Sequence, residues 1–247
     1  MFFEPYAIEV ANRIESSSIR LALEIASGTG RVTRHLRNVL PREAKLIASD
    51  ISVDMLSVAK EKLRDLDIEW SVINAEQLPF DDNSVDLVVC CFGYMFVPDK
   101  MRAFSGVYRV LRPGRMFLFT TWDKLELNAV SNGYRQVAKR YLEDPLPQEY
   151  NLPFSIHDEE IITSWLQDTG FSKIKIERVK KVSRAETAKQ AVAGLTQGGL
   201  IYDEIMKRNP AWMDEIKTIV EQELAEKYGA APMTASMSAV ISEAWKS

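Results

Sequence analysis

The sequence predicts an α/β fold organised around a largely parallel sheet, and three observations predict it. Short apolar runs alternate with segments whose apolar residues recur at helical spacing, small-residue turns separate the two, and the rhythm repeats along the chain. Residues 19–25 form the first apolar run, closed by Glu24-Ile25 and followed by Ala26-Ser27-Gly28-Thr29-Gly30. Val32, Leu36, Val39 and Leu40 then recur at helical spacing, so strand, turn and helix follow in order. Residues 46–50 read as a second buried strand, with Ser52 placed to cap a helix that turns Met55, Leu56, Ala59 and Leu63 inward. Strands at 68–73 and 85–91 come next, then a helix over about 99–111 with Met101, Phe104, Val107, Tyr108 and Leu111 on one face. Pro113-Gly114 stops that helix before a fifth strand at 116–122.

An amphipathic helix over 158–170, carrying Ile161, Ile162, Trp165 and Leu166 inward, precedes a strand at 171–182, and a last strand at 233–245 closes the chain. Two stretches, 123–156 and 183–231, interrupt the pattern as insertions, the second with a helix opened by Asn209-Pro210 and ended by Gly229. With no repeat and no low-complexity linker, residues 1–247 read as a single domain.

Composition narrows the function. Of 247 residues, 46% are hydrophobic and 27% charged, and 31 Lys and Arg face 35 Asp and Glu for a net charge of -4. That balance supplies no general attraction to nucleic acid or an anionic membrane. No apolar run approaches the roughly 18 residues of a membrane-spanning helix, and the first residues lack a basic-then-apolar leader, so the expectation is a cytoplasmic protein without membrane insertion. Cys90 and Cys91 are adjacent and only His35 and His157 accompany them, so neither a disulfide framework nor a Cys or His metal site is expected.

The informative constellation is Glu24-x-Ala26-x-Gly28-x-Gly30 at the end of the first strand with Asp50 at the end of the second. In an open parallel sheet the ligand lies outside the carboxyl ends of the strands, where these residues converge. Small residues admit a ligand to the backbone, and a carboxylate about 20 residues on accepts from ribose hydroxyls, which implies an adenosine-containing cofactor. Dinucleotide-dependent oxidoreductases share this logic and are the alternative class, with a non-catalytic nucleoside-binding module as a third. Against the former, Thr33 stands where the pyrophosphate fingerprint has its third glycine, and no Tyr is followed four positions later by Lys.

Five blocks in order, Leu-Glu-Ile-Ala-Ser-Gly-Thr-Gly at 23–30, Ser-Asp-Ile-Ser-Val-Asp-Met-Leu at 49–56, Asn-Ala-Glu-Gln-Leu-Pro-Phe at 74–80, Phe-Gly-Tyr-Met-Phe-Val-Pro-Asp at 92–99 and Tyr-Arg-Val-Leu-Arg-Pro-Gly at 108–114, give the chain a family likeness. It resembles the class I S-adenosylmethionine-dependent methyltransferases, in particular the type 11 small-molecule group that includes the ubiquinone and menaquinone methyltransferases. The resemblance implies a Rossmann-like, doubly wound seven-stranded sheet with its last strand antiparallel and helical cap insertions. It implies in-line transfer of a methyl from S-adenosyl-L-methionine to O, N or C of a small organic molecule. By the same resemblance, Ala26, Ser27, Gly28, Thr29 and Gly30 cradle the methionine part and Asp50, with Ile51 beside it, holds the ribose. Met55 packs on adenine, Asn74 and Ala75 contact the adenine edge with Glu76 next to them among the cofactor-binding residues, and Cys91 and Phe92 line the methionine end. Ala26 departs from the family's usual glycine and Asn74 from its commoner Asp, while the short segment before the first strand leaves Tyr6 and its neighbours a partial cap.

Methyl transfer chiefly needs alignment in a dry site, with a base only where the nucleophile must lose a proton. Cys91-Phe92-Gly93-Tyr94 replaces the Asn/Asp-Pro-Pro-Tyr loop of base-methylating relatives, which disfavours a nucleic-acid substrate. Candidates for acid–base work are His157, just before a helix, and Tyr94; the competing readings are a helix-capping or surface histidine and a core tyrosine. Because the fifth and sixth strands run parallel to the first, both insertions are expected to begin on the cofactor side and roof the site, with Leu200, Tyr202, Met206, Trp212 and Met213 lining an apolar acceptor pocket. The run Lys173, Lys175, Arg178, Lys180, Lys181 and Arg184 reads as the solvated edge of a strand.

Overall fold

The computed structural model describes residues 2–142, 148–196 and 199–247. The portions of the expected insertions at 143–147 and 197–198 lie outside the described residues. Seven strands form one sheet: β1 (Leu21–Ile25), β2 (Lys45–Asp50), β3 (Glu69–Val72), β4 (Val85–Cys91), β5 (Leu111–Trp122), β6 (Phe171–Ala185) and β7 (Met233–Lys246). Their order is β3-β2-β1-β4-β5-β7-β6. The first five are parallel, as Leu23 opposite Ile47 and Val88, and Val88 opposite Phe117, illustrate, and β7 runs antiparallel to β6. A doubly wound seven-stranded sheet with an antiparallel last strand is therefore the fold.

Two compact units are distinguished. The first, Phe3–Thr121, Ile156–Arg178 and Val240–Ser247, contains most of the sheet and the helices α1 (Glu4–Asn12), α2 (Arg31–Val39), α3 (Val53–Lys62), α4 (Lys100–Val110) and α6 (Glu159–Thr169). In β1, β2 and β4 the burial is almost continuous, as it must be where helices cover both faces. Local chemistry sets the helix ends. The Ser52 hydroxyl accepts from the Met55 N–H, Asp99 from the Arg102 N–H, and Asp158 from those of Glu160 and Ile161. Gly170, at φ 111°, ends α6.

Three details differ from expectation. Helix α1 precedes β1 and buries Tyr6, Ala7, Val10 and Ala11. Strand β5 begins at Leu111, ahead of Pro113-Gly114, and a register irregularity between Val85 and Leu87 of β4 accommodates the early pairing. Met55 and Ile161, expected inward, are each 49% exposed, while Leu56, Ala59, Ile162 and Leu166 fill the core as expected.

Arg13, at the end of α1, donates to Glu9, to Glu177 of β6 and to Glu243 of β7 at 2.9–3.0 Å. Strand β6 is an edge strand, and Lys175 and Arg178 along it pair with Glu243 and Glu159, as suits a charged edge. No described helix is long and apolar enough to cross a membrane.

The second unit comprises Met1–Phe2, Trp122–Ser155 and Val179–Ala239, and so draws mainly on the stretches read as insertions. Its helices α5 (Ala129–Ala138), α7 (Ala188–Leu195), α8 (Leu200–Arg208) and α9 (Trp212–Tyr228) bury Val130, Tyr134, Val137, Ile216, Val220 and Leu224 in a core of their own. Gly133 permits close packing of α5 on α9, since a Cβ there would come 3.0 Å from Leu224. Asn128 joins the segment after β5 to β7 by accepting from the Ser238 N–H and donating to the Asp123 and Lys124 carbonyls.

Candidate active site

The carboxyl ends of β1, β2 and β4 carry the loops that the sequence singles out. After β1 the backbone turns through left-handed conformations at Ala26 (φ 55°), Gly28 (φ 56°) and Gly30 (φ 80°). Glycine takes this region freely, whereas Ala26 holds it with a Cβ and at a cost of about 1 kcal/mol. The Ser27 N–H donates to the Ser49 carbonyl at 2.9 Å and the Gly28 N–H to Asp50 Oδ2 at 2.8 Å, so β2 fixes the loop. Asp50 Oδ1 accepts from the Ser52 N–H at 2.9 Å, and the Asp50 carbonyl from the Ile73 N–H at 3.2 Å. The carboxylate is 7% exposed, each oxygen has one backbone donor, and each keeps further acceptor capacity.

Beside this buried anion lies an apolar shelf open to solvent: Ile51, Val53, Met55 and Val72 are 69%, 64%, 49% and 57% exposed. Met55 Sδ would stand 4.0 Å from a Cβ at Gly28, which brings the shelf to the loop. Large apolar side chains clustered in water next to a buried carboxylate mark a surface that a ligand covers.

Asn74 closes a turn after β3 by accepting from the Glu76 N–H at 2.9 Å, and Ala75 stands between them, half-buried. The Glu76 carboxylate is engaged at the start of α4, accepting from the Asp99 N–H at 2.8 Å.

The loop after β4 abuts the loop after β1. A Cβ at Gly93 would fall 2.4 Å from the Ala26 Cβ and 2.7 Å from Cys90 Sγ, so only glycine fits there. Phe92, left-handed at φ 57°, donates its N–H to the Thr120 carbonyl at 2.9 Å. Phe3 and Tyr6 of the amino-terminal segment meet its ring edge-on at centroid distances of 5.3 and 5.7 Å. Cys91 is half-buried, and burial pushes its thiol well above the usual range, so it stays protonated at neutral pH.

Glu24 lies inside this arrangement, 1% exposed, and the sequence alone gives it no role beyond its place in the motif. Burial pushes its carboxyl up to about 8; the Thr33 hydroxyl pulls against the shift and the Asp50 charge adds to it. Oε2 of Glu24 and Oγ of Ser27 are buried without a hydrogen-bond partner. Such groups are costly unless a ligand or water completes them. An adenosine with a charged amino-acid tail fits these residues: a carboxylate for ribose, an apolar shelf for the base, small residues at the loop, and unpartnered polar atoms for the tail.

The two acid–base candidates differ in setting. Tyr94 is fully buried, stacked on Phe104 at 4.9 Å and packed against Phe117 and Phe119, with its hydroxyl lacking a hydrogen-bond partner. It has the core position of the competing reading. His157 precedes α6, and its carbonyl accepts from Arg178 of β6 at 3.1 Å. Strand β6 stands four strands from β1 in the sheet order, and α6 packs against α4.

Known proteins share this architecture. A family model described as a methyltransferase domain matches residues 23–119. The chain is 32% identical over 191 residues, 70% of its length and 76% of the relative's, to the ubiquinone/menaquinone biosynthesis C-methyltransferase UbiE of Pseudoalteromonas translucida. Among solved structures, the YcgJ protein of Bacillus subtilis superposes with a TM-score of 0.61 at 16% identity, covering 98% of each chain. Phosphoethanolamine N-methyltransferase 2 of Haemonchus contortus, solved with phosphomonomethylethanolamine and S-adenosylhomocysteine, gives 0.61 at 18% identity over 98% of this chain and 52% of that one.

Proposed function

The chain belongs to the S-adenosylmethionine-dependent methyltransferases, and on that premise we propose how its residues divide the work. Asp50 holds the ribose, the shelf of Ile51 and Met55 covers the adenine with Asn74 and Ala75 at its edge, and the loop 26–30 receives the methionine part. Glu24, Ser27 and Thr33 complete the ammonium and carboxylate groups of that part. The observation that carries this division is the juxtaposition of the buried Asp50 carboxylate, hydrogen-bonded to Gly28, with exposed Ile51 and Met55.

When bound, the cofactor supplies an electrophilic methyl on a sulfonium. The chain's own contribution is to align and to exclude water. Phe92, backed by Phe3 and Tyr6, forms an aromatic wall at the end of β4. Cys91 stays a thiol at neutral pH, which keeps a competing sulfur nucleophile inactive.

The acceptor is a small organic molecule. The relatives at 30–32% identity are named C-methyltransferases of quinone biosynthesis, which supports an electron-rich carbon as the nucleophile. The net charge of -4 supports a small molecule over a nucleic acid.

Calorimetric titration with S-adenosylhomocysteine, and separately with NADH, tests the cofactor assignment; saturable binding of the first alone is the expected result. Transfer of labelled methyl to phenolic and quinol acceptors, with the position of the label read by NMR, then tests the carbon reading. Label on oxygen or nitrogen alone would overturn it.

A further inference from the structure

At the amino ends of β1, β4 and β5, the sheet end opposite Asp50, a charged recess of ≈ 750 Å³ opens among Ser18, Arg20, Glu43, Asp86, Arg112 and Arg115. Asp86 is 3% exposed and organises it. Its Oδ2 accepts from the Arg20 and Leu21 N–H groups at 2.9 and 3.0 Å. Its Oδ1 accepts from Arg112 Nη1 at 2.7 Å, with Arg115 Nε at 3.4 Å. Burial opposes ionisation, but Arg112 and the backbone donors outweigh it and hold the carboxyl below its usual range, so Asp86 stays an anion.

The recess holds more positive charge than Asp86 requires. Arg112 and Arg115 both pair with the open side of that carboxylate, at 2.7 and 3.4 Å. Arg115 is fixed a second time by Ser18, donating to its hydroxyl at 2.7 Å and its carbonyl at 3.1 Å. The Arg20 side chain is exposed and makes no ion pair among the described residues. Three guanidiniums thus face two carboxylates, Asp86 and Glu43, and one of those carboxylates is already saturated. Surface arginines ordinarily lose rotamer freedom on gripping a ligand, but Arg112 and Arg115 are already held in place, with guanidinium N–H groups left over. A planar fork of donors matches the oxygens of a phosphoryl group.

We propose that this recess binds a compact, multiply charged oxyanion of the phosphate-ester or diphosphate class, at a site separate from the cofactor residues. Pyrophosphate is the probe. Calorimetric titration at constant ionic strength, with and without saturating S-adenosylhomocysteine, is expected to show saturable binding of one pyrophosphate per chain in both conditions. Arg20→Ala and Arg115→Ala should each weaken it at least tenfold while leaving S-adenosylhomocysteine affinity unchanged, and Arg20, exposed and unpaired, can be removed without loss of a structural contact. Tighter binding of uridine diphosphate than of pyrophosphate would identify a nucleotide, and equal binding a bare phosphoryl group; either supports the site. A response no larger than that to sodium chloride, or equal binding by both variants and the parent, would overturn it.

Discussion

Asp50 and Gly28 are joined by a 2.8 Å hydrogen bond from the glycine N–H to the carboxylate, and this bond ties the loop after β1 to the end of β2. The same carboxylate reaches Ser52 with its other oxygen, so it shapes the pocket before any ligand enters. Asp50→Asn keeps the size but replaces one acceptor by an NH2 facing a backbone N–H. We expect S-adenosylhomocysteine affinity to fall by at least tenfold and stability by about 1–3 kcal/mol, the cost of a buried donor without an acceptor. Calorimetry and urea melts measure the two separately; unchanged affinity would remove Asp50 from the site.

Gly93 and Ala26 form a coupled pair. A methyl at Gly93 would meet the Ala26 Cβ at 2.4 Å, and Ala26 is itself held at φ 55°. Gly93→Ala is expected to destabilise the chain by about 1–3 kcal/mol through overpacking, whereas Ala26→Gly is neutral or stabilising because it relieves the left-handed strain. The double variant should recover part of the loss, though Cys90 Sγ at 2.7 Å limits the rescue. A double-mutant cycle in urea reads the coupling; additive effects would show that the two loops do not press on each other.

Much of this site is legible in the sequence because it depends on local chemistry. The strand ending in Glu24-Ile25, the left-handed Gly28 and Gly30, the acid at the end of β2 and the capping residue Ser52 all act within a few residues of their own position. What depends on distant partners is not legible. Helix α1 is nine residues long, too short to be stable alone, and is held by Arg13 on β6 and β7 and by packing on α2. The helices of the second unit around Tyr134 and Ala191 pack into one shared core built from residues far apart in sequence. Met55 fits a helical apolar stripe, yet it is exposed beside Gly28 because its position serves the shelf and not the core. Tyr94 and Glu24 show the same limit: nothing in their neighbours tells which buried polar group fills an aromatic core and which stands at a pocket.

For Tyr94 the buried hydroxyl without a partner gives a direct test. Tyr94→Phe keeps the stacking on Phe104 and removes an unsatisfied polar group, so stability should be equal or higher by up to about 1 kcal/mol, with methyl transfer unchanged. His157→Ala should likewise leave kcat and its pH profile intact. A fall of tenfold or more in kcat for either variant, with cofactor affinity preserved, would restore that residue to the chemistry.

Glu24 makes stability and cofactor binding depend on pH in a defined direction. Its carboxyl titrates near 8 when folded and near 4.5 when unfolded, so between those values the native chain carries a proton that the unfolded chain has lost. The Glu24 contribution is therefore fully favourable below about pH 4.5, falls as pH rises with a slope approaching about 1.4 kcal/mol per unit, and levels off above about 8. Glu24→Gln has no such slope, so urea midpoints of the two proteins should diverge from pH 5 to pH 8 in favour of the variant. If Glu24 completes the ammonium of the methionine part, that positive charge favours the ionised carboxylate, and binding near pH 7 should expel up to one proton. Titration of S-adenosylhomocysteine in two buffers of different ionisation heat measures the expelled proton. Its absence in the parent protein, or its persistence in Glu24→Gln, would place the ammonium elsewhere in the pocket.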